Sequence, residues 1–160
     1  MFEAMPLSKN REENYQTLLN MIPYYLDSDI PLTSNLANLS ALINYFVDGI
    51  NWVGFYVTLD EALYLGPFQG QPACTKILLG HGVCGTSALL KETLIVDDVR
   101  NFKGHIFCDP NSLSEIVVPI VKNDILIGVL DVDAPTLNRF DDMDKVLFEK
   151  LIASLVDIMD

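Results

Sequence analysis

The chain has 160 residues, 10 Lys plus Arg against 22 Asp plus Glu, a formal net charge of −12, and 50% hydrophobic residues. This length predicts one domain, 1–160, within the usual size of roughly 100 to 200 residues, and the apolar content builds a core without staples, which excludes a disordered chain. The acidity, with a sequence pI near 4.3, argues against nucleic acid or anionic membranes as partners, because phosphates are repelled over most of such a surface.

The longest apolar stretch, Ile125 to Val132, is interrupted by Gly128 and Asp131 and falls short of the ~20 residues of a membrane-spanning helix. The first ten residues lack a basic segment followed by an apolar one, and Arg11, Glu12 and Glu13 follow at once. The expectation is a cytoplasmic protein without a signal peptide. Cys74, Cys84 and Cys108 form neither an even set nor a C-x-x-C pair, so in a reducing compartment they are expected to start as thiols.

In chain order, Ser8 is expected to cap a helix running toward Leu26, with Tyr15, Leu18, Leu19 and Ile22 on one stripe and Pro23 kinking or ending it. A second helix is expected after Pro31, where Leu36, Leu39, Ile43 and Phe46 recur at helical spacing. Trp52 to Val57 and Leu94 to Val96 read as strands, and Lys76 to Leu79 as a possible one. Ile116 to Val121 and Leu126 to Val132 flank Lys122-Asn123-Asp124, a connection suited to an antiparallel hairpin. Asp141 is expected to cap a last helix with Leu147, Leu151, Leu155 and Ile158 on its buried stripe. Helices at both ends of a mostly antiparallel sheet make the fold class α+β.

Several patterns carry possible chemistry. Gly80-His81-Gly82-Val83-Cys84-Gly85 matches G-x-G-x-x-G, but no parallel βαβ continuation follows, so a glycine-rich turn is preferred over a dinucleotide loop. If that turn opens a helix, its free N–H groups attract anions and lower the pKa of the Cys84 thiol. His81-x-x-Cys84 and His105-x-x-Cys108, with Cys74, offer soft ligands for zinc, although structural sites favour C-x-x-C knuckles; the reading adopted has no metal. Asp131 and Asp133 lie two apart on a strand and so share a face, with Glu115 beginning the partner strand. In a closed pocket such neighbours raise one another's pKa; at a solvated hairpin end they only add charge. Trp52 and Tyr56, four apart, form either an aromatic wall or ordinary core.

The segments Asn51-Trp52-Val53-Gly54-Phe55-Tyr56, Leu65-Gly66-Pro67-Phe68-Gln69-Gly70, Ala73-Cys74, Gly82-Val83-Cys84-Gly85-Thr86, Gly104-His105-Ile106 with Cys108-Asp109, Ser114-Glu115-Ile116-Val117, Ile127 to Asp133 and Arg139-Phe140-Asp141 together closely resemble the free methionine-(R)-sulfoxide reductases, enzymes built on a GAF domain. The resemblance implies a GAF-like fold with the terminal helices on one sheet face and a ligand pocket on the other. It also implies reduction of the free (R)-sulfoxide with thioredoxin as electron donor, no cofactor or metal, and a homodimer joined through the terminal helices.

By the same resemblance Cys108 is the nucleophile that becomes a sulfenic acid, Cys74 the resolving thiol that closes a disulfide with it, and Cys84 an auxiliary cysteine. Glu115, Asp131 and Asp133 match an acidic cluster that divides ammonium binding and proton donation, and Trp52 and Tyr56 match an aromatic wall around the methyl sulfoxide. Cys84 is thus favoured by helix-terminus physics and Cys108 by the resemblance; Cys108 is adopted on the resemblance, and its loop just before Glu115 supports that choice, since a sulfoxide oxygen leaves only when protonated. Backbone N–H groups near the cysteines are expected to hold the substrate carboxylate. Loops from Pro67 to Cys84 and Arg100 to Ser112 are expected to form a lid that excludes peptides. His81 and Phe107 depart from residues common in the family and are expected to affect rate rather than reaction type. The alternative is a non-catalytic GAF sensor of small molecules; it needs no thiol triplet and usually adjoins an output domain, for which 160 residues leave no room.

Overall fold

Asn123 and Asp124 separate two apolar runs, and both take positive φ, 48° and 64°, as the central pair of a tight hairpin turn does. In the computed structural model, which describes residues 2–104, 106 and 108–159, they join strands Ser114–Lys122 and Ile125–Ala134. Numbered along the chain, the strands are β1 (Trp52–Leu59), β2 (Ala62–Gln69), β3 (Lys76–Leu78), β4 (Leu94–Val96), β5 (Ser114–Lys122) and β6 (Ile125–Ala134). The helices are α1 (Arg11–Met21), α2 (Leu32–Phe46), α3 (Gly82–Leu90) and α4 (Asp142–Asp157). The strands form one sheet in the order β3-β2-β1-β6-β5-β4, every adjacent pair antiparallel.

Strand periodicity divides the apolar side chains between two layers. Val53, Phe55, Ile116, Val118, Leu130 and Val132 face α1, α2 and α4 in the larger core. Trp52, Tyr56, Val117 and Val129 lie on the other face, with Val83, Cys84 and Ala88 of α3. This is the layering expected of a GAF-like fold, with the terminal helices on one side and the pocket on the other.

One local expectation is corrected and two boundaries are added. Asn10, not Ser8, caps α1: its side chain accepts from the Glu12 N–H at 2.9 Å, while Ser8 Oγ accepts from the Asn10 N–H and donates to Glu13. That helix stops at Met21 and passes into a 3₁₀ turn, Ile22–Tyr24, because Pro23 has no N–H to continue the ladder. Residues 62–69, for which no strand was expected, form β2. A shift of register between Gly54 and Tyr56 absorbs the extra residues, and Pro67 lies beyond the stretch of β2 that pairs with β3, where its missing donor costs nothing.

At the far end, Asp141 caps α4 in a reciprocal capping box with Asp144. The fully buried Asp144 carboxylate also accepts from Tyr15 and, at 3.1 Å to each oxygen, from Arg139. Burial and that carboxylate push the Tyr15 hydroxyl up to about 12. The network ties α1 to α4, closing the helical layer beneath the sheet. No described helix is long and apolar enough to cross a membrane.

Candidate active site

The hydrogen-bond register of the central strands builds the floor of the site. Trp52 of β1 stands opposite Asp133 of β6, which stands opposite Glu115 of β5; one step along, Gly54 faces Asp131 and Asp131 faces Val117. Gly54 is a space requirement: a Cβ there would come within 2.5 Å of the Trp52 ring and 2.4 Å of Phe68 Cβ. With the hydrogen in its place, Trp52 lies stacked between Tyr56 and Phe68, with centroids at 6.1 and 5.4 Å. The aromatic wall and the three carboxyls therefore share one sheet face.

Above this floor, α3 presents Cys84 from its first turn, with Sγ 3.8 Å from Glu115 Oε1. The β2–β3 connection carries Cys74 and the β4–β5 connection carries Cys108, and these two are joined in a disulfide with Cα atoms 5.3 Å apart. Cys84 is the free cysteine and is buried. Cys84, Cys108, Glu115, Asp131 and Asp133 line one cavity, with Ile106 also on its wall. Its volume is about 30 Å³, room for one water and not for an amino acid.

Burial raises all three carboxyls well above the usual carboxylate range, and each is pushed further by a neighbour: Glu115 by Asp133, Asp131 by Glu115, Asp133 by Asp131 and Asp109. Asp131 Oδ1 is buried and has no hydrogen-bond partner among the described residues. Burial, then Asp131 and Glu115, also raise the Cys84 thiol. The expectation that a helix N-terminus activates Cys84 is thus overturned: a partial positive charge at the helix end is outweighed by desolvation and adjacent acids.

The raised carboxyls fix the sign of a pH effect. Between the ordinary carboxylate range and the raised values, the folded chain holds protons that the unfolded chain releases, so stability falls as pH rises through that window. Asp131→Asn removes one of the interacting acids and is expected to stabilise the fold at pH 7 by about 1 kcal/mol, or roughly 3 °C in Tm. The gain should vanish near pH 4, where the wild-type carboxyls are protonated. Urea unfolding at the two pH values checks this, and an equal gain at both would assign it to packing.

Most residues singled out in the sequence converge here: Trp52, Tyr56, Cys74, Cys84, Cys108, Glu115, Asp131 and Asp133. Of the ligands considered for zinc, Cys74 and Cys108 bond to each other, His81 lines the cavity with Cys84, and His105 lies outside the described residues, as does Phe107. The donor atoms that gather instead belong to Cys84, Glu115 and Asp131, within 4.8 Å of one another. The expected lid is shorter than drawn, because Pro67–Gln69, Lys76–Leu78 and Gly82–Cys84 belong to β2, β3 and α3. Asn51 was given no role of its own by sequence, and Asp109 and Ser112 only a place in the expected lid. Asn51 Nδ2 donates to Asp109 Oδ2 at 3.0 Å and Ser112 Oγ at 3.1 Å; the available signal was a run of polar residues directly after Cys108.

An acidic, aromatic-walled pocket under α3 on one face of a six-stranded antiparallel sheet, with α1, α2 and α4 on the other, is the layout of a GAF domain, and the GAF domain model matches residues 10–158. The free methionine-R-sulfoxide reductase of Saccharomyces cerevisiae is 47% identical over 151 residues, covering 89% of this chain and 83% of its own. The structure of free methionine-R-sulfoxide reductase from Neisseria meningitidis in complex with its substrate superposes with a TM-score of 0.90 at 36% identity, over 98% of this chain and 95% of that one. A putative GAF sensor protein from Burkholderia vietnamiensis gives 0.89 at 47% identity, over 94% and 96%. The chain belongs to the GAF domain family, and its relatives include proteins named free methionine-R-sulfoxide reductase.

Proposed function

We propose that this chain reduces free methionine-(R)-sulfoxide to methionine, with Cys108 as nucleophile, Cys74 as resolving thiol and thioredoxin as electron donor. The Cys108 thiolate attacks the sulfoxide sulfur, the oxygen is transferred to Cys108 as its sulfenic acid, and methionine leaves. Cys74 then displaces hydroxide from that sulfur, which departs as water, and the disulfide forms. A dithiol donor reduces it by exchange. The observation that carries this reading is the Cys74–Cys108 disulfide at the rim of a cavity floored by Glu115, Asp131 and Asp133.

The acids supply what the chemistry demands. A sulfoxide oxygen leaves once protonated, and a carboxyl whose pKa is raised by burial and by like neighbours still holds a proton at neutral pH. An ionised partner in the same cluster is the natural seat of the substrate ammonium, for which the unpartnered Asp131 Oδ1 is an acceptor. The first-turn N–H groups of α3 suit the carboxylate. Attack needs the Cys108 thiolate, so reduction of the disulfide precedes each attack and the two half-reactions alternate.

The test is NADPH consumption by thioredoxin reductase, thioredoxin and this protein with separated epimers. Consumption with the free (R)-sulfoxide and not with the (S) epimer or a peptide-bound sulfoxide is expected. Ligand bound without consumption would overturn the enzyme reading in favour of a GAF sensor. The cytoplasmic location and the homodimer through the terminal helices belong to the same proposal, the dimer being open to analytical ultracentrifugation.

A further inference from the structure

The two bonded cysteines enter the site from opposite edges of the sheet: Cys74 on the β2–β3 connection, Cys108 on the β4–β5 connection, 34 residues apart. Neither lies in regular structure, and the readiness with which two such thiols form a disulfide depends on how narrowly their loops are held, since each freedom lost on closure opposes the bond. The start of β1 reaches both loops. Tyr56 Oη donates to the Cys74 carbonyl at 3.1 Å and Trp52 Nε1 to the Gln71 carbonyl at 3.0 Å. On the other side, Asn51 Nδ2 donates to Asp109 and Ser112, beside Cys108. Asn51 is itself fixed, its N–H donating to the Asp133 carbonyl at 3.0 Å.

We infer that Asn51, Trp52 and Tyr56 are positioning residues for the redox pair: β1 and the residue just before it are a shared template whose side-chain donors hold the Cys74 and Cys108 loops in register for the disulfide. The aromatic pair therefore has a second task besides forming the wall. All the donors remain donors across the working range, because the indole and amide N–H groups do not titrate there and burial raises the Tyr56 hydroxyl further above its ordinary value. A tether made more favourable by the disulfide must, by reciprocity, make the disulfide more favourable. This inference rests on the proposed reductase reading only for the use made of the disulfide; the thiol pair equilibrates with any small dithiol or glutathione couple.

The experiment is equilibration of the purified full chain with glutathione redox mixtures, followed by thiol alkylation and quantification of the Cys74–Cys108 disulfide by mass spectrometry. Tyr56→Phe and Asn51→Ala, which cut one loop each, are expected to shift the equilibrium about fivefold toward the dithiol, the effect of one modest hydrogen bond. Tyr45→Phe, which removes a hydroxyl bonded to Met5 in the other layer, should stay at the wild-type midpoint. Asn51→Ser is read beside Asn51→Ala to cover local disruption of the strand. A wild-type midpoint in Tyr56→Phe or in both Asn51 variants overturns the inference, even if stability drops, because a purely structural role weakens oxidised and reduced forms alike. Failure of the reductase reading would appear instead as a lack of sulfoxide turnover in the wild type.

Discussion

Cys108→Ser is expected to abolish methionine release from the (R)-sulfoxide, with a loss on the order of 10⁴-fold or more, the scale on which enzymes lose rate when their nucleophile is removed. A serine hydroxyl is far less nucleophilic than a thiolate toward sulfur, and it has no accessible sulfenic state in which to hold the transferred oxygen. Cys84 is a poor replacement although it lies in the same cavity. Its thiol is buried beside Glu115 and Asp131, and all three influences raise its pKa, so the thiolate is scarce. The measurement is methionine formed in a single turnover by prereduced protein, quantified by chromatography. Wild-type release would refute Cys108 as nucleophile. Release lost equally in Cys84→Ser and Cys108→Ser would mean that both thiols take part in the oxygen-transfer step.

Cys74→Ser separates the half-reactions. Prereduced variant should release about one methionine per subunit and then stall, with thioredoxin-driven turnover lowered by roughly 100-fold or more, because the sulfenic acid forms but has no partner 5.3 Å away between Cα atoms to capture it. A dimedone-type probe should label Cys108 in the stalled protein and not in resting wild type. Sustained turnover with thioredoxin would count against Cys74 as resolver and leave direct reduction of the sulfenic acid as the route. Read together, the two serine variants distinguish loss of attack from loss of resolution, which an overall rate alone does not.

The fold was largely legible because its signals are local. Alternation placed Leu130 and Val132 on one face and Asp131 and Asp133 on the other, and pairing in the structure agrees. Asp141 before an apolar stripe announced α4. β2 was not legible, since Gly66-Pro67 carries turn chemistry that only a bulge beside β1 accommodates. The end of the first helix was legible at Pro23, whose missing N–H stops the ladder, although Met21 as its last residue was not.

The site divided in the same way. Residue types and the family motifs by themselves determined which thiols, acids and aromatics belong together, because those identities are written in the chain and the strand period of two is intrinsic to the backbone. The tertiary structure alone decided their chemical state. Burial raised Glu115, Asp131, Asp133 and Cys84, reversing the expectation drawn from a helix terminus for Cys84. Pairing across six strands brought Cys74 to Cys108 and placed Asn51, Trp52 and Tyr56 against their two loops. Desolvation and proximity depend on what packs around a group from distant parts of the chain, and a linear sequence specifies neither until it is folded.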